Sequence, residues 1–302
     1  MRTSYHFLLL FCLLTNVRTI AFAQQKTADS SSAIPDTEIY LVSLKNNAGS
    51  ITLGKPTNLT KRAGYDNQPS FTPDGKKLLY TQQANDQTDI WSYDLAQQRP
   101  AALTQTPESE YSATVMPDGT HFSVIRVEAD QTQRLWQFDL ATGRNPQLIL
   151  KDTKPVGYHR WFGTDSLVLF VLGSPNTLQV ARVSTGQSQT IATNIGRSLH
   201  QIPKQRAVSF IYKVSAVIWN VQRLDMNNLQ VSNLIEAPTG SEDCAWTPDG
   251  TLLMAQGAKL YKWKADIDKQ WQLVADLSSA NIKHITRLAV SPTGNQLVFV
   301  AQ

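Results

Sequence analysis

Cysteine is nearly missing from this chain: 302 residues contain two, Cys12 and Cys244. That excludes a disulfide framework, and with no C-x-x-C spacing it excludes a locally encoded structural zinc site. Histidine is scarce as well, five in all, and no H-x-x-x-H spacing occurs. Charged residues make up 17% with a formal balance of +4, and no Lys/Arg-rich stripe stands out, so a nucleic-acid surface is not expected. No apolar run approaches the roughly 20 residues that a membrane helix requires. A nucleophile elbow of the G-x-S-x-G type is also missing. The nearest string, "GQSQT" at 186–190, lacks the final glycine, so Ser188 reads as a surface turn serine rather than a hydrolase nucleophile.

What is present begins with an export signature. Arg2 precedes the apolar run "FLLLFCLL" at 7–14, and "AFA" at 21–23 supplies small residues in the A-x-A pattern. Residues 1–23 are therefore expected to be a signal peptide removed after Ala23. Cleavage takes away Arg2 and Arg18, leaving a balance near neutral, and takes away Cys12, leaving Cys244 as a small buried hydrophobe. "LLF" before Cys12 lacks the small residues of a lipoprotein site. The following segment, 24–37, is polar and serine-rich and is expected to be a flexible leader. The mature protein is expected in the periplasm or outside the cell, with no membrane span, as a monomer.

The rest of the sequence repeats. "FTPDGKKLLYT" at 71 recurs as "VMPDGTHFSVI" at 115, "WTPDGTLLMAQ" at 246 and "VSPTGNQLVFV" at 290. The prolines Pro73, Pro117, Pro248 and Pro292 are separated by 44, 131 and 44 residues, so the middle interval conceals two worn copies. These are "WFGTDSLVLFV" at 161 and "IPKQRAVSFIY" at 202. In P-D-G, proline presets φ, aspartate bonds to its own backbone and glycine accepts a positive φ, which turns the chain sharply between two β runs.

A third run follows each turn, as in "DIWSYDL" at 89 and "RLWQFDL" at 134, with period-two alternation that no helix face can show. A short fourth run such as "PAALT" at 100 ends the unit. Units of about 44 residues with four antiparallel strands are the size of propeller blades. Residues 38–60 hold only a third and fourth strand, and 281–302 only a first and second, so the two ends are expected to complete one blade. The expected fold is all-β: a six-bladed β-propeller of four-stranded antiparallel blades over 38–302, closed by its N-terminal strands. The aromatic column Tyr40, Trp91, Trp136, Trp219 and Tyr261 recurs once per blade and reads as packing between blades.

The x-P-D-G turns followed by "KKLLYT", "DIWSYDL" and "PAALT" resemble the TolB-like β-propeller family, whose repeat is also found in propellers of prolyl-oligopeptidase-type peptidases. The resemblance spans 38–302. It implies a propeller that meets partner proteins at its opening, here without the small α/β domain that precedes the propeller in TolB. Related propellers include oligosaccharide-cleaving lyases in which channel histidines and arginines hold a metal and an acidic sugar. A cluster of His159, His200 and His284 with Arg160 is the arrangement that this alternative requires.

In a propeller the innermost strands line the central channel, and here they lie just before the turns. The residues entering them include Tyr65, Asp66, Glu110, Tyr111, Tyr158, His159, Arg160, Arg197, His200, Glu242, Asp243, His284 and Arg287. The candidate ligand set at the channel mouth is Asp66, Glu110, His159, Arg160, His200, Asp243, His284 and Arg287. Polar groups converging on a concave opening suit a protein or peptide partner. The expected function is a non-catalytic binding or scaffold module, with no catalytic residue, metal or cofactor assigned.

Overall fold

The computed structural model describes residues 36–47 and 49–302. The expected signal peptide and most of the expected leader lie outside the described residues. Asp36 and Thr37, at the leader's end, already belong to the folded body. Thr37 is buried, bridges to Tyr65 in parallel, and donates its hydroxyl to the Asp66 carbonyl at 3.1 Å.

Six antiparallel sheets follow one another around a ring. Their innermost strands are Asp66–Phe71, Ser109–Val115, Val156–Trp161, Ile195–Gln201, Cys244–Trp246 and Ile285–Val290, which number blades 1 to 6. In blades 1 to 5 the remaining three strands follow in chain order. Blade 6 is composite: its second strand, Gln296–Ala301, pairs with Glu38–Asn47 from the other end of the propeller. The register runs from Glu38 opposite Ala301 to Ser43 opposite Gln296, with Ile39 opposite Val300. Tyr40 stacks on Phe299 at 5.7 Å between ring centroids. The closure expected from the two half-units is present, and the pairing removes two strand edges that would invite association.

Burial explains the composition of each strand. The second strands sit in the middle of blades that are covered on both faces, so they are mostly apolar and unbroken in burial: Leu78–Thr81, Phe122–Arg126, Leu167–Val171 and Ala207–Ile211 are buried residue after residue. Third strands are less enclosed, and contrary to the expected alternation their buried residues lie three apart, as at Leu135 and Phe138, Leu178 and Ala181, and Val221 and Leu224. Side chains of successive residues point to opposite faces, so Leu78 and Tyr80 pack toward blade 6 while Leu79 packs toward blade 2. The core is accordingly six separate apolar layers, one at each blade interface. Burying one large apolar side chain in such a layer stabilises by roughly 1.5–3 kcal/mol.

The turns form as their sequence dictates. In blade 1 the Gly75 amide donates to the Thr72 carbonyl at 2.8 Å, and the Asp74 carboxylate accepts from the Lys76 amide at 3.0 Å and the Thr72 hydroxyl at 2.6 Å. Blade 4 has no glycine in this turn, and there Lys204 takes a φ of 62°.

Candidate functional site

Inner strands do more than line the ring, because most of them carry a bulge. Pairing with the second strand skips between Asn67 and Ser70, Tyr111 and Thr114, and Thr286 and Ala289. At these skips Gln68, Ser112 and Arg287 have φ of 55°, 57° and 53°. A bulge bends its strand and re-aims a side chain. The residue five positions before the turn proline, or before Gly163 in blade 3, lines one cavity in every blade: Gln68, Ser112, Tyr158, Ser198, Asp243 and Arg287.

That cavity is a funnel of about 550 Å³ opening on the side of the P-D-G turns. Phe71, Trp246, Pro203, Pro248 and Pro292 belong to its lining, giving apolar walls toward the turns. Deeper down, Arg197 of blade 4 grips Asp243 of blade 5 through two hydrogen bonds of 3.1 and 2.6 Å and reaches Glu242 at 2.6 Å. Arg287 of blade 6 lies 3.7 Å from the same Asp243 carboxylate. It also donates to the hydroxyl of Tyr158, in blade 3, at 2.8 Å, with its guanidinium 5.0 Å from the centre of that ring. Arg197 and Arg287 line a second, smaller cavity of about 200 Å³ as well, on the far side of this layer. The network is the floor between the two cavities.

Its electrostatics are self-consistent. Burial tends to raise the Asp243 pKa, but the charges of Arg287 and Arg197 overcome it and hold the carboxyl below its ordinary range. Burial likewise opposes the charge on Arg197, yet Asp243 and Glu242 together push its pKa upward. Charge-assisted, forked pairs of this kind are the strong ones.

The structure gathers five of the eight candidate residues in the funnel: His159, Arg160, His200, Asp243 and Arg287. The other three are elsewhere, and the expectation that all eight meet at one mouth is corrected accordingly. His284 lines the smaller cavity, beyond the floor. Asp66 and Glu110 are fully buried among ion pairs and threonines away from both cavities. Asp66 meets Arg62 at 3.0 Å. Glu110 accepts hydrogen bonds from Thr104, at 3.0 Å, and Thr106, and lies 3.6 Å from Arg126. These two carboxyls sit two positions before the axis-facing residue of their blades, where the strand has not yet bulged. His284 is one residue ahead of its strand, which places it below the network.

The two funnel histidines are neutral supports. His159 is 7% exposed, and its Nε2 lies 2.7 Å from the Ser123 hydroxyl, which also accepts from Trp161 Nε1 at 2.8 Å, tying blade 3 to blade 2. His200 Nε2 lies 3.0 Å from the Ser198 hydroxyl. Burial first, and the Arg160 charge second, pull the pKa of each down to about 3. The three histidines therefore do not converge, and among the described residues no three His, Cys, Asp or Glu side chains form a metal-binding group. Cys244 is buried beside Ser198 at 3.4 Å, and burial pushes its thiol up to about 12.

Sequence reasoning missed Gln68, Ser112 and Ser198 and had no basis for separating Tyr158 from its neighbours. The usable signal was the fixed five-residue offset from the turn.

No family model matches the sequence, and no curated protein sequence matches it. Solved structures do match in fold. The putative TolB from Agrobacterium tumefaciens aligns with a TM-score of 0.70 and 14% identity, over 88% of this chain and 98% of that one. TolB from Acinetobacter baumannii aligns with a TM-score of 0.57 and 14% identity, over 89% of this chain and 64% of that one. Oligogalacturonate lyase from Vibrio parahaemolyticus gives 0.57 and 14%, over 87% and 86%. Likeness at such identities is likeness of fold alone: the chain is a six-bladed propeller. Among the described residues no helix is long and apolar enough to cross a membrane.

Proposed function

We propose that this propeller is a non-catalytic binding or scaffold module of the cell envelope or secreted space, taking a protein or peptide partner in the funnel. The observation that carries the reading is a six-sided funnel crossed at depth by a hydrogen-bonded layer of Arg197, Asp243, Arg287 and Tyr158. Every blade contributes to the lining, and the walls mix aromatic and proline surface with a few converging polar groups. A rim built on strands rather than long loops is preorganised, so little ordering is needed on association. The export signature at 1–23 supports the location, and the TolB folds among the similar structures support a binding role. The module acts as a monomer.

The rival expectation, a lyase-like enzyme with a metal in the channel, needs His284 beside His159 and His200. An oligogalacturonate lyase matches the fold as well as the Acinetobacter baumannii TolB does, so likeness of fold leaves this alternative open, while His284 lining a different cavity from His159 and His200 counts against it.

A photo-crosslinking residue at Gln201, exposed on the funnel lining, is compared with one at Thr190, exposed on an outermost strand. The expected result is a discrete adduct in envelope extract from position 201 and none from 190. Absence of an adduct at 201, or the same adducts from both, removes the reading.

A further inference from the structure

The funnel is lined by three arginines and one aspartate. Two of the arginines are accounted for, since Arg197 and Arg287 share Asp243 and Arg197 also holds Glu242. Lys213, which is not part of the funnel lining, also reaches Glu242 at 3.1 Å, so each of these cations has a carboxylate within ion-pair distance. Arg160 is left over. Among the described residues its guanidinium has neither a carboxylate partner nor a hydrogen-bond acceptor, and its Nε is shut off from solvent with nothing to donate to.

Among the described residues this is an exception for an enclosed arginine. Arg62, Arg126, Arg134 and Arg223, all comparably enclosed, each pair with a carboxylate. A half-buried guanidinium without an anion is costly to maintain. Its neighbours do not relieve it: His159 and His200 contribute no negative charge, and His159 Nδ1 is itself buried without a partner. One unit of positive charge, in a forked donor, faces an open cavity.

We propose that Arg160 is the anion-receiving point of the funnel, taking one carboxylate of a bound peptide, either a chain terminus or an acidic side chain. The inference rests on the funnel being a peptide site. A single uncompensated charge calls for a monoanion, and the planar fork of arginine matches a carboxylate with two parallel hydrogen bonds. The apolar walls above would hold the residues that precede that carboxylate.

The test uses the full chain and three probes: acetyl-triglycine as the free acid, acetyl-triglycine amide, and acetyl-Gly-Glu-Gly amide. Binding is followed by NMR or calorimetry at low salt, on the parent and on Arg160→Gln and Arg160→Lys. Expected is binding of at least one acid probe, loss with the neutral amide, and a drop of about tenfold to a hundredfold in Arg160→Gln. Arg160→Lys, with charge but no fork, falls between. Preference for the free acid identifies a chain terminus, and preference for the glutamyl amide identifies a side chain. Equal binding of acid and neutral amide, an unchanged Arg160→Gln, or no binding by either acid up to about 10 mM overturns the proposal. Should Arg160→Gln fail to fold, protection of Arg160 from phenylglyoxal by the acid probes, read by mass spectrometry on the parent, decides instead: protection supports the proposal, and none overturns it. The Gln201 adduct is independent of charge, so an adduct together with an indifferent Arg160→Gln sinks this inference and leaves the binding role standing.

Discussion

Arg287 Nη2 lies 2.8 Å from Tyr158 Oη, joining blade 6 to blade 3 directly across the ring. Neighbouring blades are tied by their apolar layers, whereas this contact spans the axis. Together with Asp243 and Arg197 it turns what topology alone would leave as a tube into two separate cavities.

Asp243 is the hub of that floor, so Asp243→Asn should leave Arg197 and Arg287 without their shared anion. The expected loss is about 3 kcal/mol or more. Tyr158→Phe removes one hydrogen bond and should lose about 1 kcal/mol. Urea unfolding checks both, as a lower midpoint with an unchanged slope.

Glu110 gives the protein a pH dependence of known sign. Its burial, opposed by the Thr106 and Thr104 hydroxyls and Arg126 and aided by the Asp89 charge, lifts its pKa from 4.5 to about 7. A raised pKa means that the native state favours the protonated acid. The contribution is whole below about 4.5 and is lost as pH rises through 7, a swing on the order of 3 kcal/mol. Asp66, raised to about 6 by burial, acts in the same direction. Glu110→Gln should therefore lose less stability than the parent between pH 5 and 8, measured by denaturant midpoints across that range.

Closure of the ring depends on a few side chains. Phe299 is 1% exposed and stacks on Tyr40 across the composite blade. Phe299→Ala should lower stability by about 3–5 kcal/mol. Limited proteolysis should then cut first within residues 38–58, because those strands are held to the ring through this blade.

Lys204 occupies the left-handed region at φ 62°, in a turn where the other copies have glycine nearby. Lys204→Gly should stabilise by a few tenths to about 1 kcal/mol, since the strain relieved outweighs the added freedom of the unfolded chain. A higher melting temperature checks it, and a lower one would show that the turn tolerates lysine without strain.

Most of the architecture was legible because it is repeated. Pro73, Pro117, Pro248 and Pro292 mark the period, the apolar second strands mark the doubly covered layer, and the half-units at each end mark the closure. The candidate site was harder to read because its geometry depends on a break in regularity. Counting along an unbulged strand treats Asp66 and Glu110 as equivalent to Asp243, although the skips after Asn67 and Tyr111 give the axis to Gln68 and Ser112 instead. No residue type announces such a skip when Gln68 and Ser112 adopt positive φ without being glycine. The leftover charge on Arg160 was equally hidden, since it emerges only when every other arginine in the funnel has been assigned a partner in space.

The composite blade also governs how the molecule is assembled in time. Leu41 and Val298 face each other across paired strands although almost the whole propeller lies between them in the chain. Such remote pairing raises contact order and slows folding. During synthesis the early strand must wait, unmatched, until the final hairpin emerges, so a polypeptide halted before Gln296 has five finished sheets and no way to lock them.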